Sequence, residues 1–162
     1  MANVESRELG AAVFADATIE ALRSTGLPLS DIRTGSKPEL AKDDIVVVMN
    51  IGGSWHGAVA MHVSQLACEA LCDKLYGRKA KSCEECAEAM MEAANMATGR
   101  GVAALGTHSE GAVWLTPPLC VKGSFVTTRL HNTQTSCHTF KFGEGQVSVV
   151  FAAAEKEIPV SE

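Results

Sequence analysis

Apolar positions near the start of the chain recur at the helical period. Ala11, Phe14, Ala15, Ile19 and Leu22 fall on one side of a predicted helix over 5–24, with Glu5 and Glu8 near its start and Arg23 near its end. Gly26 and Pro28 stop it. Residues 29–43 are largely polar, carry Asp31, Gly35, Ser36 and Pro38, and read as a connection with room for a short extended piece. The pattern then becomes nearly continuous: "DIVVVMNI" is β-branched and apolar, as an interior strand requires. "GGSW" turns the chain and "HGAVAMHV" returns as the hairpin partner.

Helical spacing resumes after Ser64, a residue suited to cap a helix running to about Tyr76 with Leu66, Ala67, Ala70, Leu71 and Leu75 on its buried face. Gly77 ends that helix. Ser82 and Glu85 in "SCEE" form a Ser-x-x-Glu capping box, which sets the next helix start at Cys83 and its end near Leu105. After the loop "GTHSEG", "AVWL" reads as a strand halted by "TPP", and Val121 to Leu130 as another. "TSCHTFKF", a turn at "GEG" and "QVSVVFAAA" complete a second hairpin. Three helices and about six strands, with the strands in hairpin pairs, predict an α+β fold around a mainly antiparallel sheet.

Length and composition narrow the class. The 162 residues suit one domain spanning 1–162. A hydrophobic share of 46% with only 5% aromatic residues means a core of Ala, Val, Leu, Ile and Met. The net charge of −5, with no basic cluster interleaved with aromatics, excludes a nucleic-acid partner. "MANVESRELG" has acidic residues where an export signal needs a basic region and an apolar block, so a cytoplasmic location is expected. The uncharged run from Ile45 to Cys68 is interrupted by "NIGGSWHG", which makes it a hairpin and not a membrane span. Six cysteines in such a chain are expected to be reduced thiols.

Candidate chemistry lies on the helix that starts at Cys83. Cys86, Met90, Ala94 and Ala97 follow the 3.6 period and should face the sheet. Glu88, Glu92, Asn95 and Gly99 form a second stripe. Glu92 and Asn95 are about 60° apart around the axis and roughly 4.5 Å apart along it, so they project to the same side. Ala93, Ala94, Ala97 and Gly99 are expected to keep the surface beside them low. A solvated helix face explains Glu92 by itself, and Glu-x-x-Asn arises easily by chance. It does not explain Asn95, a mediocre helix former, or Gly99, which costs about 1 kcal/mol relative to Ala.

The segment "EAMMEAANMATGR…LTPPLCVKG" resembles the CheC/CheX/FliY group of bacterial chemotaxis phosphatases, and within it the CheX type. That group's pattern is Asp or Ser, three residues, Glu, two residues, Asn, twenty-two residues, Pro. Glu92, Asn95 and Pro118 fall on its Glu, Asn and Pro positions, while Glu88 stands where the pattern has Asp or Ser. The resemblance extends through "VVVMNIGGSWHGAVAMHVS" and covers most of the chain from about residue 44; the first helix matches only in general character. One Glu-x-x-Asn site is present, which is the CheX-type arrangement. The resemblance implies a homodimer and a substrate, the aspartyl phosphate of a CheY-like response regulator.

An acyl phosphate is already activated, so its hydrolysis mainly requires a water held in line with the leaving carboxylate. A strong base is not needed. The Asn95 carboxamide can accept a hydrogen bond from that water. The resemblance implies that Glu92 docks against a lysine of the regulator and that Pro118 shapes the loop near the site; Glu88 and Gly99, on the same helical stripe, are expected to adjoin the partner, with Glu88 departing from the group's pattern. The Mg²⁺ is expected in the regulator, because this chain shows no acidic cage for it. No cofactor or metal is expected on the chain itself. A CheX-like module that binds a signalling partner without catalysis is the competing reading.

Cys68-x3-Cys72 and Cys83-x2-Cys86 raise the possibility of zinc or an iron–sulfur cluster, yet paired knuckles come from turns with wider spacing than these helical positions offer. Glu84 and Glu85 oppose a reactive thiolate at Cys83, and no thioredoxin-like pattern precedes it. His56 and His62 share a strand face, His131 and His138 lie in strand or turn regions, and none adjoins a nucleophile elbow. Met90, Met91 and Met96 are expected to pack.

Overall fold

The computed structural model describes residues 4–26, 28–35, 41, 43–122 and 136–155. Helix α1 spans Val4–Arg23, α2 Gln65–Tyr76 and α3 Cys83–Thr107. The strands are β1 Leu29–Thr34, β2 Ile45–Gly53, β3 Trp55–Val63, β4 Val113–Leu115, β5 Leu119–Lys122, β6 Ser136–Phe142 and β7 Gly145–Glu155. They form one sheet in the order β1-β6-β7-β3-β2-β4, with every pairing antiparallel; β5 shares the outer edge of β2 with β4.

The expected α+β architecture is therefore present, with seven strands where about six were read. The additional strand is β1, almost wholly exposed, whose pairing with β6 shifts register between Ser30 and Arg33 around the left-handed Asp31. Such a polar edge strand carries little hydrophobic signal. The strand read over Val121 to Leu130 begins earlier, at Leu119, and 123–130 lie outside the described residues, as do Thr135 and His131.

Alternation along the strands sorts the core. Ile45, Val47, Met49 and Ile51 of β2 join Trp55, Val59, Met61 and Val63 of β3 and the buried faces of all three helices in one cluster. The opposite side of the sheet holds a smaller cluster of Val46, Ala60, Cys137 and Val150. Such period-two division is what a pleated strand imposes. The helices thus cover one face.

Capping follows the local sequence closely. The Ser64 hydroxyl accepts from the Ala67 and Gln146 amides, at 3.3 Å and 2.9 Å, and so starts α2 while tying it to β7. Gly77 ends α2 in the left-handed conformation at φ 66°. The buried face of α2 differs from the expected one: Ala67, Cys68, Leu71 and Cys72 face inward, while Leu66 and Leu75 are exposed. Leucines and cysteines alternate around this short helix, and cysteine serves as a small core residue. Nothing in the periodicity distinguishes the two faces.

Helices α1 and α3 approach closely through small residues. A methyl group on Gly101 would lie 2.6 Å from the Phe14 ring and 2.8 Å from the Thr18 hydroxyl. Phe14 in turn packs on Phe151 of β7, with ring centroids 4.8 Å apart. No described helix is long and apolar enough to cross a membrane.

The Gly101→Ala substitution should therefore destabilise the protein by about 1–3 kcal/mol through overpacking, despite alanine's better helix propensity. At Gly99 a methyl group would meet nothing within 4 Å. Urea titration should show a lowered midpoint for Gly101→Ala and an unchanged or raised midpoint for Gly99→Ala.

Candidate functional site

Helix α3 begins where its capping box predicts. The Ser82 hydroxyl accepts from the Glu85 amide at 3.2 Å. The Glu85 carboxylate accepts at 2.6 Å from the amide of Lys81, one residue before the cap, instead of from Ser82 as the simple box would have it. The Arg78 guanidinium grips the same carboxylate with two nitrogens. Hydrogen bonds from Arg78 and then from Lys81 lower the Glu85 pKa from its ordinary 4.5 to about 2. The first turn of the helix is thereby pinned to the chain that precedes it.

Further along, one side of α3 is sealed. Ala89, Met90, Ala93, Ala94, Ala97, Thr98, Gly101, Val102 and Leu105 are all buried. Ala93, Ala94 and Ala97 therefore do not form a low surface beside the polar pair, as was expected; their small size lets α3 settle onto α1 and the sheet. Thr98 adds a tie on this side, donating to the Ala94 carbonyl and lying 3.3 Å from the Met49 sulfur of β2.

Glu88, Glu92 and Asn95 lie exposed along the opposite side, and Gly99 is half-buried with open space above it. Among the described residues, neither Glu92 nor Asn95 has a hydrogen-bond or ion-pair partner. No carboxylate or histidine cluster close enough to hold a metal adjoins them among the described residues.

Pro118 sits half-buried between β4 and β5, and both strands contact α3. Two reciprocal bonds of 2.9 Å hold its loop to β2: the Thr116 amide donates to the Asn50 carbonyl, and the Asn50 amide donates to the Thr116 hydroxyl. A methionine expected to pack, Met96, is instead 43% exposed beside Asn95, whereas Met90 is buried. A methionine at an exposed helical position leaves no periodic mark that would separate it from a core methionine. Trp114 and Leu119 are exposed as well, and they pair with Gly52 and Val48 on the sheet face away from the helices.

The remaining candidates divide. His62 is buried and His56 exposed, on strand positions paired with Ser148 and Ala154. Burial lowers the His138 pKa, opposed by Asp16. Ser148, opposite His62, is itself engaged with the Thr139 hydroxyl at 2.8 Å. Cys68, Cys72 and Cys86 come together, but Cys83 is exposed apart from them. Burial, followed by the neighbouring thiols, raises the Cys68 pKa and pushes that of Cys72 up to about 12. They are protonated at neutral pH, which removes them as free thiolate nucleophiles.

One antiparallel sheet thus carries three helices on one face, and Glu92 and Asn95 lie exposed on the longest of them. Residues 45–142 match the family described as "Chemotaxis phosphatase CheX", and the chain belongs to that family. Solved structures agree on the fold. The crystal structure of the CheX-CheY-BeF3-Mg+2 complex from Borrelia burgdorferi is similar at a TM-score of 0.72 and 20% identity, covering 90% of this chain and 97% of that one. Chemotaxis protein CheX from Vibrio vulnificus is similar at 0.70 and 17% identity, covering 87% and 96%. A CheX from Desulfovibrio desulfuricans gives 0.68 and 21% identity, covering 91% and 99%. No curated protein matches the sequence.

The pinning of the first turn of α3 has a pH signature. Because Glu85 is held below its ordinary value, its ionised form contributes stability above about pH 4.5, and this contribution is lost as pH falls towards 2. Arg78→Ala should unfold at lower temperature than the wild type at pH 7. The gap between the two should close as the pH drops from 4.5 to 2, as followed by circular dichroism.

Proposed function

We propose that this chain accelerates hydrolysis of the aspartyl phosphate of a CheY-like response regulator. The observation that carries this reading is the pairing of CheX family membership with an exposed Glu92 and Asn95 that have no partner among the described residues, on a helix whose other side is packed. In this reading Asn95 enters the regulator's active site and its carboxamide accepts a hydrogen bond from the attacking water. Glu92, a carboxylate unsuited to activating water beside an anionic phosphoryl group, docks on a lysine of the regulator. Gly99 leaves room for the partner's surface, and Glu88 and Pro118 border it. The Mg²⁺ belongs to the regulator. The Borrelia structure, which contains CheX, CheY, BeF3 and Mg²⁺ together, supports a CheY-like partner.

The reading places the chain in the cytoplasm as one domain, acting as a homodimer. Its competitor, a CheX-like module that binds without catalysis, differs in one measurable respect. A binder associates with the regulator and leaves the lifetime of its phosphoryl group unchanged.

The test is decay of phosphate from purified, phosphorylated CheY-like regulators in the presence of the chain. Wild-type protein should shorten the lifetime, and Asn95→Ala and Glu92→Ala should each remove most of that effect, by on the order of 10²-fold for Asn95. Equal acceleration by wild type and both variants would overturn the assignment of roles. Light scattering on the purified chain should give the mass of two copies; a monomer at micromolar concentration would remove the dimer from the account.

A further inference from the structure

Three thiols meet between α2 and the first turn of α3. Cys68 and Cys72 stand one helical turn apart on α2, and Cys86 stands on α3; their three sulfurs lie within 4.8 Å of one another. The α2 thiols are directed at the start of α3, with the Cys68 sulfur 3.4 Å from the Cys86 carbonyl and the Cys72 sulfur 4.0 Å from the Glu85 carbonyl. Sequence spacing pairs Cys83 with Cys86, but folding separates those two and joins Cys86 to the other helix.

We propose that Cys68, Cys72 and Cys86 form a three-thiolate site for a thiophilic cation, with zinc the principal candidate. Zinc–sulfur bonds of about 2.3 Å in tetrahedral geometry set the sulfurs about 3.8 Å apart, so the cluster needs to contract by no more than about 1 Å. Three cysteines can pack as small hydrophobes, yet valine or alanine would fill the same space. What only sulfur adds is the donor set. Thiolates select soft cations over Mg²⁺ or Ca²⁺. The site has an entry path, because Cys68 and Cys86 line a cleft of about 890 Å³ together with Cys83, Glu69 and Asp73. Water from this cleft can occupy the fourth coordination position. As the metal–sulfur bonds form, each thiol releases its proton to solvent, and the cation removes the mutual repulsion that otherwise opposes three neighbouring thiolates.

A metal here would clamp α2 to the N-terminal end of α3, two turns before Glu92. Its role is structural and independent of the phosphatase reading, which stands or falls separately.

The experiment uses the untagged full-length chain, kept reduced with a phosphine and titrated with Co²⁺ and then Zn²⁺. One equivalent of Co²⁺ should produce a thiolate-to-cobalt charge-transfer band in the near ultraviolet, and one equivalent of Zn²⁺ should abolish it. Cys86→Ser, at a half-buried position, should weaken zinc binding at least about 100-fold against a chromophoric chelator while keeping wild-type helicity. Cys83→Ser should retain the wild-type affinity and stoichiometry. Absence of the charge-transfer band in the reduced wild-type chain would overturn the proposal, as would a band that survives Cys86→Ser and disappears in Cys83→Ser.

Discussion

The site depends on the contact between Gly101 of α3 and Phe14 of α1. With the Phe14 ring occupying the space where a side chain at 101 would be, only glycine at that position lets α3 lie this close to α1. Glu92 precedes Gly101 by nine residues, two and a half turns, which places it about 180° around the helix from the contact. Asn95 lies a further three residues along on the same outward side. The alanines at 89, 93, 94 and 97 are buried on the same side and let α3 lie close to its neighbours. Close packing on one side of a helix therefore positions polar groups on the other.

Much of this was readable from the residues. The caps at Ser64, Gly77 and Ser82, the hairpin through "GGSW" and the Glu88-Glu92-Asn95-Gly99 stripe follow from local rules, since each depends on residues within a few positions of one another. What escaped depends on distant partners. β5 and β4 divide the edge of one strand, β2, and no local pattern reveals that. On α2 both leucines and cysteines recur at helical spacing, and only the sheet and α3 decide that Cys68 and Cys72 turn inward. The cysteine cluster was misread as two separate pairs for the same reason. The role of the small residues was also inverted: Ala93, Ala94 and Ala97 admit α1 and the sheet, whereas Gly99 alone lies beside open space.

The chemistry on α3 is sparse because the proposed reaction asks for little. In the proposed reading the aspartyl phosphate is activated already and the regulator supplies the metal, so a positioned carboxamide and a docking carboxylate would complete the machinery. In that reading the site is assembled only when two proteins meet. Among the described residues, no carboxylate cluster adjoins Asn95 and neither Glu92 nor Asn95 is engaged. The hydrogen bonds at Arg78, Lys81 and Glu85 fix the first turn of the helix that carries Glu92 and Asn95, which in the proposed reading orders it ahead of binding.

The central claim is that Asn95 acts on the bound phosphoryl group and not on complex formation. The most direct measurement is a single-turnover experiment at saturating chain, paired with the Kd for the regulator held in its BeF3 form. The account predicts that Asn95→Ala lowers the saturated hydrolysis rate by on the order of 10²-fold while Kd changes only a few-fold. A variant that hydrolyses at the wild-type rate once saturated, having lost only affinity, would contradict it.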